Sequence, residues 1–200
     1  MTFLIHAWQR LGLPRVVQFD NGRQFYGPGR YARSLNRVIR LVLRLGVEPV
    51  FIPEASPQYN GSVENFNGWF QPLLLQRPFA RAGDVRRELR RLLWSVNDQH
   101  VHQNLGFRTP AQYRRSKRLQ KLPAHFSLDL KTIPVSAGKI IVIRWVPAHG
   151  YVDVLGESFK VRRRLRFHFV KITLETHTQR LKVYHNGRLI KHCLFKLRIS

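Results

Sequence analysis

The chain has 200 residues, 44% of them hydrophobic, and carries 35 Lys and Arg against 11 Asp and Glu, a formal net charge of +24. This length and apolar content predict a folded protein, and the charge predicts an acidic partner, because the chain would otherwise repel itself strongly. No apolar run approaches the roughly 20 residues of a membrane span, and the single cysteine, Cys193, excludes an internal disulfide, so we expect no membrane segment and a reducing cytoplasm.

The first half of the sequence alternates helical and extended patterns. Apolar spacing in residues 4–11 predicts a helix, and the apolar run 16–19 predicts a buried strand that ends just before Asp20. A second helix is predicted at 34–45 and a second strand at 47–52, where β-branched residues are frequent. This order of elements indicates an α/β fold.

Two further helices are predicted before the middle of the chain. Residues 62–75 have a helical composition, and we expect Pro72 to kink or interrupt that helix. Asp84 is the expected N-cap of a helix at 85–97, whose leucines share one face. The amphipathic pattern also predicts that Trp94 packs in the core.

The second half consists of β-rich runs separated by turns, a pattern typical of an antiparallel β domain. Asn186 and Gly187 form a strong type I′ hairpin signal, and alternating apolar residues fit strands with one buried face. We expect a small closed barrel, with Trp145 in its core. The predicted strands are 139–146, 151–155, 158–161, 167–176, 180–185 and 188–197.

Composition predicts a domain boundary near the middle of the chain. The residues before Ala111 include 15 basic and 7 acidic side chains, whereas the remainder includes 20 basic and 4 acidic ones and every lysine. The basic, proline-containing stretch between the halves has no sustained periodicity, which is typical of a connector. The predicted domains are 1–112, a basic linker at 113–138, and 139–200.

Two segments contain the strongest candidates for a catalytic site, QFDNGRQF at 18–25 and PQYNGSVENFN at 57–67, and each places a carboxylate near an Asn-Gly pair. Asp20 follows a strand at the edge where α/β folds expose reactive groups, and Glu64 lies in the first turn of a predicted helix. Hard carboxylate oxygens suit Mg²⁺ or Mn²⁺, and two such ions about 4 Å apart promote in-line attack on a phosphodiester. An isolated Asp-Asn-Gly is more often only a turn, so the second segment is needed for this interpretation.

Amides and glycines surround both carboxylates. Asn60 and Asn67 flank Glu64 and could orient it or touch a phosphate, although a loop amide and a surface helix amide are equally good interpretations. The Asn-Gly pairs allow the chain to turn sharply. The expected supporting residues are Asn21, Gly22, Asn60, Gly61 and Asn67.

Two basic clusters are candidate DNA contacts. The cluster in the predicted barrel is dense enough that phosphate contact explains it better than a solvated strand edge does, because counterion release would relieve its self-repulsion. A second cluster lies near the predicted linker. The residues are Lys160, Arg162, Arg163, Arg164 and Arg166 in the first, and Arg114, Arg115, Lys117 and Arg118 in the second.

Together with NDQHVHQNLGFRTPA at 97–111, these segments resemble the carboxyl-terminal part of a DDE transposase of the insertion-sequence class, which shares its catalytic core with retroviral integrases. The resemblance implies a partial ribonuclease H-like integrase core followed by an SH3-like DNA-binding barrel. It implies that Asp20 and Glu64 are the second and third catalytic carboxylates and that the intact enzyme uses two Mg²⁺ or Mn²⁺ ions. It also implies DNA as a partner, self-association or association with full-length transposase, and a place near the nucleoid.

The sequence departs from this family in two ways. Between Asp20 and Glu64 lie 43 residues, more than in the best-known pattern, and residues 1–19 contain no acidic side chain that could be the first aspartate. The chain therefore resembles a fragment, and we expect weak metal binding and no catalysis by it alone. The rival interpretation is a non-catalytic DNA-binding remnant that occupies element ends or inhibits full-length transposase. A ribosome-associated basic protein would fit the charge but not the paired motifs.

Overall fold

The computed structural model describes residues 1–22, 25, 31–53, 61–76 and 78–198. It has a mixed α/β architecture, as predicted. The chain divides into two compact units, Met1–Ser56 with Gln120–Ser200, and Pro57–Leu119. No helix within the described ranges is both long and apolar enough to cross a membrane.

The first unit begins with a helix and a short strand. Helix α1 (Thr2–Leu11) buries Ile5 and Trp8, three residues apart on one face, and ends at Gly12, whose φ of 89° is readily available only to glycine. Strand β1 (Val16–Phe19) follows and buries Phe19. The helix and strand predicted here are therefore confirmed, although Phe19 is the only buried residue of the strand.

The next helix and strand build the centre of the core. Helix α2 (Arg37–Arg44) is capped by Asn36, whose side chain accepts a 2.9 Å hydrogen bond from the Ile39 amide. Strand β2 (Glu48–Phe51) confirms the second predicted strand and runs parallel to β1. The core residues contributed by α2 are Ile39, Leu41, Val42 and Leu43.

One open sheet unites strands from both halves of the sequence. The strands of the second half are β3 (Lys139–Trp145), β4 (Tyr151–Val154), β5 (Glu157–Lys160), β6 (Phe169–Glu175), β7 (Arg180–His185) and β8 (Arg188–Leu194). The order of the sheet is β1-β2-β3-β6-β7-β8, parallel from β1 to β3 and antiparallel from β3 to β8. A separate two-stranded sheet contains β4 and β5.

The antiparallel strands were predicted correctly, but the closed barrel was not. Among the described strands, β3 pairs with β2 on one side and with β6 on the other. The strands of the second half therefore extend the sheet begun by β1 and β2 and do not close into a barrel. The hairpin turn behaves as predicted, because Asn186 and Gly187 both have positive φ, 46° and 77°. Local sequence patterns could not predict that β3 pairs with β2, because these strands are far apart in the sequence.

The second unit is helical. Helix α3 (Gly61–Leu75) continues through Pro72, so the interruption that was one of the two predicted effects of this proline does not occur. Helix α4 (Ala82–Trp94) begins one turn earlier than expected, with Arg81 at the N-cap and Asp84 inside the first turn. A π-helical turn, a 3₁₀ turn and the short helix α5 complete the unit, at Ser95–Gln99, Gln103–Leu105 and Pro110–Arg115.

The stretch after Leu119 belongs to the first unit and packs into its core. Leu122 and Ile133 are buried in its core. The Gln9 side-chain amide donates 3.0 Å hydrogen bonds to the main-chain oxygens of Pro123 and Ala124. Much of the predicted linker 113–138 is thus ordered by packing, while the domain boundaries inferred from composition stay a prediction.

Candidate functional site

Asp20 lies at the carboxyl end of β1 with its side chain exposed. Its Oδ1 accepts a 2.9 Å hydrogen bond from the Gly22 amide, so the side chain is held in a tight turn at the strand end. The structure therefore presents a hard carboxylate at the position predicted for it.

The residue after Asp20 links this strand end to its neighbour. Asn21 donates a 2.5 Å hydrogen bond from Nδ2 to the main-chain oxygen of Ile52, directly after β2. Beneath this link the rings of Phe19 and Phe51 stack with centroids 5.7 Å apart. Because β1 and β2 are parallel, their carboxyl ends lie at the same edge, and the Asn21 contact stiffens that edge.

Glu64 lies in the first turn of α3 and is exposed. Asn67, one turn further along the helix, is also exposed, and Gly61 is the first helical residue. Asn60 lies outside the described residues. Asp20 belongs to the first unit and Glu64 to the second.

The donor chemistry at both carboxylates fits an oxygen-preferring cation. Asp20 and Glu64 offer only carboxylate oxygens, the ligands that Mg²⁺ and Mn²⁺ prefer. Within the part of the chain that is described, no three His, Cys, Asp or Glu side chains group in a way that could hold a metal ion. Two carboxylates alone would therefore be an incomplete set of ligands for a pair of close cations.

The basic cluster of the β domain lies in the connection from β5 to β6. Arg162, Arg163 and Arg164 are exposed, whereas Leu165 between them and Arg166 is buried. A 3₁₀ turn at Arg163–Leu165 places these arginines on a short, anchored loop. Buried Leu165 thus fixes a surface of closely spaced positive charge.

The second basic cluster is partly occupied by interactions inside its own unit. Arg115 lies 3.6 Å from the Asp98 carboxylate, and the Lys117 ammonium sits 4.7 Å from the centroid of the Tyr113 ring. Helix α5, which precedes Lys117, is closed at its start by a capping box between Thr109 and Gln112. This cluster is therefore a less concentrated source of free positive charge than the 162–166 loop.

The sequence patterns missed a group of exposed aromatic side chains. Trp145 and Trp94, both predicted to be in the core, are 45% and 56% exposed. Trp145 lies beside Phe169, with ring centroids 5.0 Å apart, and Phe167 is 6.5 Å away. In the structure β3 buries Arg144 and so turns Trp145 to the opposite face, but both faces of the strand carry apolar residues, and the sequence alone does not show which face is covered.

No protein-family model matches the chain. Among curated proteins, it is similar to one described as "Insertion element IS476 uncharacterized 39.2 kDa protein" from Xanthomonas euvesicatoria, with 30% identity over 114 residues. The matched stretch covers 55% of this chain and 30% of that protein. The chain thus matches less than a third of the length of a protein assigned to an insertion element.

Proposed function

We propose that this chain acts in DNA transposition, as the carboxyl-terminal part of a DDE-type transposase. The observation that carries the proposal is the Asp20 carboxylate at the end of β1, held by the Gly22 amide within the Asp-Asn-Gly turn. The exposed Glu64 in the Asn-Gly-x-Val-Glu segment supports it. The likeness to an insertion-element protein supports the same role independently.

In this proposal Asp20 and Glu64 are metal ligands, and the bound Mg²⁺ or Mn²⁺ ions supply Lewis-acid chemistry for phosphodiester cleavage and strand transfer. Asn21 holds the end of β1 against the residue after β2 and thereby positions Asp20. Gly22 donates its amide to the Asp20 carboxylate and orients it. Asn60, Gly61 and Asn67, which lie next to Glu64 in the sequence, are its supporting residues in this proposal.

In this proposal a third carboxylate comes from outside these 200 residues, because residues 1–19 contain no Asp or Glu that could be the first ligand of a DDE site. A DDE site needs that charge to offset the repulsion between two close cations. We therefore propose that catalysis requires a further segment or another chain, such as full-length transposase, and that the 200 residues are inactive alone.

Both basic clusters serve DNA binding in this proposal. Arginine and lysine side chains that neutralise phosphates release condensed counterions, which makes the affinity fall as salt rises. With a net charge of +24 the chain has ample charge for this role. The 162–166 loop is the stronger candidate, because three of its arginines are exposed on an anchored turn.

Fluorescence anisotropy with a short labelled DNA duplex of mixed sequence tests the DNA-binding role. We expect the affinity of the wild-type protein to fall by orders of magnitude between about 50 and about 200 mM NaCl. The triple variant Arg162→Ala, Arg163→Ala, Arg164→Ala should reduce the salt slope by about one for each lost contact. Binding that barely responds to salt contradicts the proposal.

A matched variant controls for total charge. Arg81, Arg86 and Arg90 are equally exposed arginines of the α4 segment, and replacing all three by alanine removes the same charge. If contacts are local to the 162–166 loop, this control should keep most of the salt slope. Equal losses in both triple variants would mean that the overall charge, and not the loop, governs binding.

A non-catalytic DNA-binding role is the second candidate, favoured by the absence of acidic residues in 1–19. The two roles separate in a cellular assay that counts transposition of a marked copy of the element encoding the chain. Asp20→Asn and Glu64→Gln should each abolish transposition if the carboxylates act in catalysis. Unchanged transposition in both, with loss only in the arginine variant, supports the non-catalytic role.

A further inference from the structure

Three large aromatic side chains form an exposed cluster where β3 ends and β6 begins. Trp145, Phe167 and Phe169 are 45%, 60% and 38% exposed. Trp145 lies next to both phenylalanines, with its ring centroid 5.0 Å from that of Phe169 and 6.5 Å from that of Phe167. Grouped aromatic surface of this kind is costly to leave in water and marks an interaction site more often than scattered apolar residues do.

The backbone holds this cluster firmly. The Phe167 amide donates a 2.7 Å hydrogen bond to the Val146 oxygen, and the Val146 amide donates a 3.0 Å bond to the His168 oxygen. Val146 and Val170 are buried on the other side of the sheet, so the alternation of each strand keeps Trp145 and Phe169 outward. The rings therefore lie on a preformed surface.

Positive charge adjoins the rings along the chain. The arginines of the 162–166 loop immediately precede Phe167, and the loop is closed by hydrogen bonds from the Leu165 and Arg166 amides to the Arg162 and Arg163 oxygens, 2.9 and 3.1 Å long. His168 Nδ1 lies 2.8 Å from the Arg166 oxygen, which ties the end of the loop to the start of β6. The arginines and the two phenylalanines thus belong to one continuous segment, residues 162–169.

On the sheet, further basic and aromatic side chains lie beyond the 162–166 loop. A depression of about 490 Å³ runs from Phe169 past Lys171 and Tyr184, and the Lys171 ammonium lies 5.5 Å from the Tyr184 ring centroid. Two carboxylates also line it. The charge of Glu175 is offset by Lys182, whose Nζ lies 2.6 Å from its Oε1, and Lys139 lines the same depression as Glu48.

We propose that this aromatic–basic surface, made of Trp145, Phe167, Phe169 and the 162–166 loop, binds an unpaired strand of DNA. The bases of a duplex are already stacked on one another, whereas those of an unpaired strand have free faces that can stack on exposed rings. The arginines would hold the phosphates alongside. A neutral apolar partner would gain nothing from the adjoining arginines. This inference rests on the proposed DNA binding and adds that the surface prefers single-stranded DNA to a duplex.

Anisotropy with a labelled single-stranded oligonucleotide and the matching duplex tests the inference. Trp145→Ala should weaken single-strand binding about tenfold, since one base loses its stacking partner, and should change duplex binding less than about twofold. Phe167→Ala, at the most exposed ring, should act in the same direction. The control is Trp94→Ala, which removes an even more exposed tryptophan from the second unit and should leave both affinities unchanged.

The outcomes separate the two proposals. If the wild-type protein binds neither DNA form, the proposed DNA-binding function fails. If it binds duplex with a steep salt dependence, but Trp145→Ala and Phe167→Ala weaken both forms equally or neither, the stacking surface alone is overturned. Thermal melting of each variant checks that the fold is intact, and all three aromatic positions are exposed enough for truncation to be tolerated.

Discussion

Asn21 Nδ2 donates a 2.5 Å hydrogen bond to the main-chain oxygen of Ile52, a residue 31 positions away. This contact joins the turn that carries Asp20 to the segment that follows β2. It stabilises the fold and sets the position of a candidate metal ligand at the same time, because the two strand ends cannot shift past each other while it is intact.

Replacing Asn21 by alanine should therefore destabilise the first unit by about 1–2 kcal/mol, since the Ile52 carbonyl loses its partner in a partly buried place. Urea unfolding curves compare the free energy of unfolding of variant and wild type. Asn97→Ala is the control, because its 2.7 Å side-chain bond to the Leu93 oxygen is exposed and local, joining the π-helical turn to the last turn of α4. Equal losses in both variants would show that the strand ends do not depend on Asn21.

The ion pair between Arg33 and Glu157 predicts a pH-dependent contribution to stability. Hydrogen bonds from the Arg33 guanidinium lower the pKa of Glu157 below its ordinary value. A carboxyl group with a depressed folded-state pKa stabilises the fold above its unfolded pKa of about 4.3, and that stabilisation is lost as the pH falls through the folded-state pKa. The pair is about one-third exposed, so solvent screening limits its contribution to about 1 kcal/mol.

Glu157→Gln should accordingly lower the free energy of unfolding near neutral pH by up to about 1 kcal/mol, and the difference from wild type should shrink toward about pH 3. Denaturant titrations at both pH values measure it. Asp84→Asn, which breaks a pair with Arg87 in which both side chains are more exposed than those of Arg33 and Glu157, serves as control and should change less. A difference that grows on acidification would contradict the assigned sign.

Close packing at Gly138 predicts a steric effect. A Cβ added there would lie 2.7 Å from Leu43 Cδ2, and Leu43 is buried, so its side chain has little room to move away. We expect Gly138→Ala to destabilise the first unit by about 1–2 kcal/mol through overpacking. Thermal melting should show a lower midpoint, whereas Gly68→Ala, in helix α3 with no atom within 4 Å of the added Cβ, should be neutral or stabilising. An unchanged melting midpoint for Gly138→Ala would mean that the Leu43 side chain can move aside without loss of stability.

Metal binding by the chain alone should be weak, because Asp20 and Glu64 are an incomplete set of ligands. Calorimetric titration with Mg²⁺ or Mn²⁺ should give a dissociation constant of about 1 mM or weaker, and Asp20→Asn should remove the heat that this carboxylate contributes. Asp129→Asn is a matched control, since Asp129 Oδ1 also accepts a 2.9 Å bond from the amide two residues on. Tight binding of two ions would refute the expectation.

Removing the metal should leave DNA binding intact. The proposed phosphate contacts come from the arginines of the 162–166 loop, so duplex affinity measured by anisotropy should be the same with Mg²⁺ and with EDTA at equal ionic strength. Loss of binding on chelation would mean that the carboxylates, and not the arginines, hold the DNA.

Much of the local structure was predictable from residue patterns. The apolar spacing around Ile5 and Trp8 defined α1, and the Asn186-Gly187 pair defined the turn between β7 and β8. The position of Asp20 directly after β1 was also predictable, because the apolar run stops at Phe19. These features depend on neighbours within a few residues, which the sequence displays directly.

Other features depended on contacts between distant segments. Local alternation identified β3 as a strand, but not its parallel pairing with β2, which leaves the sheet open where a closed barrel was expected. It also could not say which of its two faces would be covered, and so Trp145 was misplaced. The contact between Asn21 and Ile52 was invisible for the same reason, since nothing near Asn21 indicates its partner.

By itself, the sequence determined the α/β order, the excess of positive charge and the two carboxylate motifs, because each is a property of composition or of short-range spacing. Only the tertiary structure decided that the β-rich half extends the first sheet, and that exposed rings adjoin the 162–166 loop. The physical reason is that strand pairing and face burial are chosen by the free energy of the whole core, to which residues far apart in the chain contribute together.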